Sequence, residues 1–223
     1  MAKPRGPFIS GGSVCVVGAG GLGCAVLPSL ARMSIDRLVI IDGDRVEAGN
    51  LERQPLYEEV DIGQPKASTA ALWIRQILAG GQVVAHDVFL NERNAPELLA
   101  GHDVVVEGVD DLHAKAMIDK VCLSLGVPLV SGGVHDRQGQ LIVLHVPGER
   151  AGLCRSDIFS GSIAHEQDGC DMRNVPLPLL EEVGQKMTAR VRAILQGSPL
   201  SNGRIELFVL GRPGWISVDP QLS

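Results

Sequence analysis

Apolar and polar positions along the chain fall into short runs that switch between strand-like and helix-like periods. "SVCVVGAG" (13–20) is a continuous apolar run entering a glycine turn, as a strand buried on both faces does. "LGCAVLPSLARM" (22–33) carries the apolar spacing of a helix, with Pro28 tolerable near the first turn. "RLVIID" (37–42) reads as the second strand. A helix at 66–79, a strand at 82–88 and a short helix near 95–100 follow, then the strand "DVVVEGV" (103–109), a helix at 112–125 and the strand "VPLVSG" (127–132). Strands alternating with helices predict an α/β fold, a Rossmann-like and mostly parallel sheet flanked by helices. After Gly132 the pattern changes: "QLIVLHV" (140–146), behind the turn signal "DRQGQ", and "RIELFVL" (204–210) read as added antiparallel strands. Between them lie an irregular run at 147–175 and a helix near 177–196. The whole reads as one domain over 1–223, with a nucleotide-binding part at 13–132 and an antiparallel extension, crossover loop and C-terminal helix at 133–223.

Composition narrows the classes of function. A chain of 223 residues with 45% hydrophobic content can bury a sizeable core. The net charge of −6 and pI near 5.5 supply no basic stripe, so nucleic acid is not an expected partner. No run is long and apolar enough to span a bilayer, and "MAKPRGPFIS" lacks the apolar core of a signal peptide, so a cytoplasmic protein is expected. Cys15, Cys24, Cys122, Cys154 and Cys170 form no Cys-x-x-Cys pair, which suits a reducing compartment, and the first three lie in apolar runs that predict burial.

The candidate chemistry begins with "GAGGLG", in which Gly18, Gly20, Gly21 and Gly23 stand between a strand and a helix. Such a turn lets phosphate approach the backbone N–H groups at a helix start. Asp42, at the end of the second strand and 19 residues past Gly23, is placed to accept ribose hydroxyls, with Asp44 beside it. On these features alone an NAD-dependent oxidoreductase leads. The next stretch, "EAGNLERQ" (47–54), followed by Lys66, adds two amides and two cations at the same sheet edge, and attack on a triphosphate needs fixed cations where hydride transfer does not. Asp110, ending the fourth strand, emerges at that edge and is a candidate magnesium ligand.

Taken together, "GAGGLG", "DGDRVEAGNLERQ", "IGQPKA" and "VEGVDD" resemble, in order and spacing over roughly 13–146, the ThiF/MoeB/HesA family, bacterial relatives of the ubiquitin-activating enzymes. The resemblance implies an ATP- and Mg2+-dependent adenylyltransferase. In that family the terminal carboxylate of a small ubiquitin-like or sulfur-carrier protein, ending in Gly-Gly, attacks the α-phosphate of ATP. By resemblance Asp42 holds the ribose, Asn50, Arg53 and Lys66 hold phosphates with Gln54 supporting them, and Asp110 holds the metal ion. The alternatives are an adenylating dehydratase acting on a small-molecule, peptide or tRNA-borne carboxylate, or a partner subunit of a hetero-oligomeric activating enzyme.

Departures from the family pattern carry expectations of their own. Many relatives bind a structural zinc through two Cys-x-x-Cys pairs, but here Cys154 stands alone, with Ala151 at its partner position and Trp215 and Val218 in place of the second pair. No zinc site is expected, and Trp215 is expected to fill that volume. Only seventeen residues precede Gly18, so the family's N-terminal helix, whose arginine reaches a neighbouring subunit's ATP, is expected to be missing, with Arg5 a weak substitute. Cys170 falls about where some relatives place a cysteine that takes the activated acyl group. Asp168 and Asp171 beside it would raise a thiol pKa and Arg173 would lower it. A homodimer is implied, with "AVLPSLARM" on the first helix as one source of its apolar patch. His113, His135 and His165 have no spacing that points to a metal site.

Overall fold

Alternate residues of the central strands pack into two different apolar layers, which fixes both the sheet and the sides on which helices lie. Val14 and Val16, Leu38 and Ile40, and Val104 and Val106 enter one layer, whereas Cys15 and Val17, Val39 and Ile41, and Val105 enter the other. A strand buried on both faces shows this period of two with no polar alternative. The computed structural model describes residues 11–78, 80–159 and 174–220.

Eight strands form one sheet, in the order β3-β2-β1-β4-β5-β6-β7-β8. They are β1 (Ser13–Val17), β2 (Arg37–Ile41), β3 (Gln82–His86), β4 (Val104–Glu107), β5 (Leu129–His135), β6 (Gln138–Leu144), β7 (Ile205–Val209) and β8 (Ile216–Val218). The first five pair in parallel and the last three antiparallel. Helices α1 (Gly21–Ala31), α2 (Lys66–Arg75) and α6 (Leu177–Leu195) supply the first apolar layer, and α3 (Ala95–Leu99) and α4 (Leu112–Leu125) the second. Because β2 and β4 flank β1 on opposite sides, the strand order reverses there, and open α/β sheets bind ligands outside the carboxyl ends of the strands at such a reversal.

The mixed α/β fold and its antiparallel C-terminal strands match the sequence reading, with four differences. Pro28 lies past the middle of α1, not in the first turn. The antiparallel pairing starts earlier than "QLIVLHV": β5 runs on to His135, Asp136 takes a φ of 50°, and β6 begins at Gln138. The edge strand β8, pairing with β7, and the short helix α5 (Arg155–Ile158) inside the irregular run went unread, since each is too short to show a period. Finally, the apolar face of α1 is not a free surface. Val26, Leu27, Leu30 and Ala31 are buried, and α6 crosses α1 so closely that a Cβ on Gly184 would stand 2.6 Å from the Ala25 Cβ.

Cys15, Cys24 and Cys122 are buried as expected, and desolvation pushes the Cys24 and Cys122 thiols up to about 12. They are inert at neutral pH. Trp215 stacks on Phe208 with ring centroids 5.4 Å apart and donates to Glu182 Oε1 at 2.8 Å. Leu153, the neighbour of Cys154, packs instead at Gly203, before the start of β7. Trp215 therefore fills the space over Phe208. Among the described residues no helix is long and apolar enough to cross a membrane.

Candidate active site

The turn after β1 is tied to β2, with the Gly18 amide donating to the Ile41 carbonyl at 2.9 Å. Gly18 has a φ of 93°, in the left-handed region that favours glycine. Gly23 is needed for a different reason: a Cβ there would lie 2.2 Å from the Gly18 carbonyl oxygen, so only glycine lets α1 start this close to the strand. Gly23 is thus a packing position and does not line the cleft. Gly18, Gly20 and Gly21 do. Burial of an aromatic hydroxyl calls for a partner, and the Tyr57 hydroxyl donates to the Ala19 carbonyl at 2.7 Å and lies 3.3 Å from the Lys66 carbonyl, tying the glycine turn to the start of α2. Burial pushes that hydroxyl's pKa well up, so it stays a neutral donor. Tyr57 was missed in the sequence reading. The signal available was a lone tyrosine in the chain, close behind "NLERQ".

Asp42 follows β2 and its Oδ2 accepts the Ala19 amide at 2.6 Å, while Oδ1 accepts the Asp44 amide at 2.7 Å. Its pKa is raised by burial, against the lowering effect of those two amides. The segment beyond it is pinned by a bridge between Arg45 and Pro65 and by the Lys66 amide donating to the Asp44 carbonyl at 2.9 Å. Residues Ala48–Arg53 form a 3-10 turn that presents Asn50 and Arg53 to the cleft. Arg53 Nη1 donates to the Gly49 carbonyl at 2.8 Å, which fixes the guanidinium against its own turn. Gln54 is buried, and its Oε1 has no hydrogen-bond partner among the described residues. Lys66, only 7% exposed, sets its Nζ 3.5 Å from the Asp44 carboxylate. A cation this buried with so long a pairing suits a site that awaits a second anion.

On the other side of the cleft, Asp111 caps α4 by accepting the Ala114 amide at 2.7 Å. The N-cap of α4 is thus Asp111, not the adjacent Asp110. Asp110 is exposed and lines the cleft. The cleft encloses about 370 Å³, within the usual range for small-molecule sites. It brings together Gly18, Gly20, Gly21, Asp42, Asp44, Asn50, Arg53, Gln54, Lys66 and Asp110, and adds Phe89 and Val109, which sequence reasoning did not flag. Cys170 and Arg5 lie outside the described residues. Among the described residues no cluster of three or more His, Cys, Asp or Glu side chains could hold a metal ion.

A reversed strand order, a glycine turn and a cation-bearing cleft at one sheet edge define an α/β domain of the nucleotide-binding type. The model of the ThiF family matches residues 9–210, and the chain belongs to that family. It is 40% identical over 146 residues to the adenylyltransferase and sulfurtransferase MOCS3-1 of Zea mays, covering 66% of this chain and 31% of the relative. It is 39% identical over 135 residues to the sulfur carrier protein adenylyltransferase of Thermus thermophilus, covering 60% of this chain and 50% of the relative. The chain therefore spans about a third to a half of the length of these curated relatives. Among solved structures, E. coli MccB determined with ATP superposes with a TM-score of 0.80 at 21% identity, over 95% of this chain and 65% of MccB, a likeness of fold.

Proposed function

We propose that this protein uses ATP and magnesium to adenylate the C-terminal carboxylate of a small ubiquitin-like or sulfur-carrier protein, releasing pyrophosphate. The observation that carries this reading is the convergence in one cleft of a glycine turn, the Asp42 carboxylate, the Arg53 and Lys66 cations and the Asp110 carboxylate. A carboxylate is already an anionic nucleophile, so no proton has to be removed. One of its oxygens bonds to the α-phosphorus as the bond to the departing pyrophosphate breaks, and negative charge grows on the leaving group. Arg53 and Lys66 oppose that charge from fixed positions, and fixed cations stabilise it without reorganising as the reaction proceeds.

The side chains present fit both ligands. Asp110 offers the hard oxygen donor that magnesium takes alongside phosphate oxygens and water. Magnesium, when bound, supplies further neutralisation of phosphate charge. Gly18, Gly20 and Gly21 line the cleft, where the lack of side chains lets a phosphate-bearing ligand approach the turn. The acceptor class is supported by the names of relatives, among them the sulfur carrier protein adenylyltransferase and a SAMP-activating enzyme of Haloferax volcanii. A Gly-Gly acceptor terminus, a homodimer and transfer of the acyl group to Cys170 rest on the family resemblance and complete the reading. The test is exchange of labelled pyrophosphate into ATP with magnesium and carrier proteins ending in Gly-Gly. Carrier-dependent exchange is expected, and its absence with every such carrier would overturn the proposal.

A further inference from the structure

A second cavity of about 280 Å³ lies beside the cleft, and the segment Gly108–Asp110 lines both. That segment forms the wall shared by both hollows: Gly108 donates its amide to the Val17 carbonyl at 3.2 Å and packs on Leu22, Val109 packs on Gly18, and Asp110 at its end is exposed. A buried ion pair stands at its base. Glu107, fully buried at the end of β4, accepts the Val109 amide at 3.1 Å through Oε1, and the same oxygen accepts Lys115 Nζ. Lys115 Nζ also donates to the Gly132 carbonyl of β5 at 2.8 Å. One ammonium from α4 therefore joins the end of β4, the turn beyond it and the neighbouring strand.

The pair is not what a core built only for stability would hold. Apolar side chains of similar volume replace buried ion pairs at little cost or with gain, and the neighbouring Val105 and Val106 of β4 are apolar. Glu107 Oε2 is buried with no hydrogen-bond partner among the described residues, an arrangement that calls for an explanation beyond stability. Burial lowers the Lys115 pKa, with Glu107 opposing that shift.

We propose that Lys115 and Glu107 are a positioning couple that fixes the Gly108–Asp110 wall and so holds Asp110 where nucleotide-bound magnesium meets it. The inference rests on the function proposed above. Its test needs no acceptor protein: the affinity of a fluorescent, non-hydrolysable ATP analogue is measured with and without magnesium, alongside thermal melting. In the wild type magnesium tightens binding. In Glu107→Gln, and in the electrically neutral Lys115→Met/Glu107→Gln double variant should the single one fail to fold, the magnesium enhancement is expected to shrink at least fivefold while metal-free affinity stays within twofold. Lys115→Arg, which keeps the charge and the donors, is expected to retain the enhancement. A folded double variant with the full enhancement would overturn the proposal, as would a wild type that binds the analogue without any magnesium dependence. A wild type that binds no nucleotide would overturn the proposed function itself, and this inference with it.

Discussion

The carboxylate of Asp42 accepts the backbone amide of Ala19 at 2.6 Å, so the acid at the end of β2 and the glycine turn after β1 are one unit. The residue that sequence alone assigns to a ribose also holds the glycine turn in place.

That double role has a pH signature. Burial raises the Asp42 carboxyl above its ordinary value of 3.8, so the folded chain keeps this proton to higher pH than the unfolded chain does. Where the folded state binds more protons, stability falls as pH rises. The contribution of Asp42 is therefore fully present below 3.8 and is lost as pH climbs through the raised value. Asp42→Asn, which cannot titrate, should lose ground to wild type at the acid end and regain it toward neutrality, as urea unfolding across that range would measure. Its affinity for ATP should fall about tenfold, the equivalent of about 1.4 kcal/mol. A pH-independent difference in stability would contradict the assignment.

Two glycines of the same turn should behave differently. A Cβ on Gly20 would meet only Gln54 Nε2, at 3.7 Å, whereas one on Gly23 would meet the Gly18 carbonyl oxygen at 2.2 Å. Gly23→Ala is expected to cost at least about 1–3 kcal/mol of stability. Gly20→Ala should melt near wild type and weaken ATP binding, because the added methyl faces the cleft. Paired melting curves and nucleotide titrations separate the two.

Lys66→Ala and Asp110→Ala should each lower carrier-dependent pyrophosphate exchange by two or more orders of magnitude, about 3 kcal/mol or more of transition-state stabilisation. Both should remain folded. Exchange at wild-type rates in either variant would remove that residue from the chemistry.

Asp119 and His145 form a second buried pair, with His145 Nε2 and Asp119 Oδ1 2.7 Å apart, and Asp119 Oδ2 accepts the Arg155 amide at 2.8 Å. Asp119→Ala strands a buried imidazole and removes the acceptor of the first amide of α5. Breaking a buried pair by removing one partner costs up to about 3–5 kcal/mol. The expected outcome is a lower melting temperature with faster proteolysis between 145 and 159, and nucleotide affinity close to wild type.

What the sequence determined by itself is what short range determines. Strand, glycine turn and helix follow one another within a few residues, so "SVCVVGAG" and "LGCAVL" reveal β1, the nucleotide turn and α1 directly, and the C-terminal ends of β2 and β4 locate Asp42 and Asp110 at one edge. Tertiary structure alone decided the rest, because pairing between distant residues leaves no periodic trace. Tyr57 reaches back 38 residues to Ala19, Asp119 meets His145 across 26, and α6 covers the face of α1 that the sequence reading offers to a partner subunit. Whether Asp110 or Asp111 caps α4 turns on side-chain geometry that two adjacent acids cannot reveal. Glu107 and Lys115 read as one acid and one base among many until the fold withdraws both from water, and desolvation is what gives their pairing its consequence.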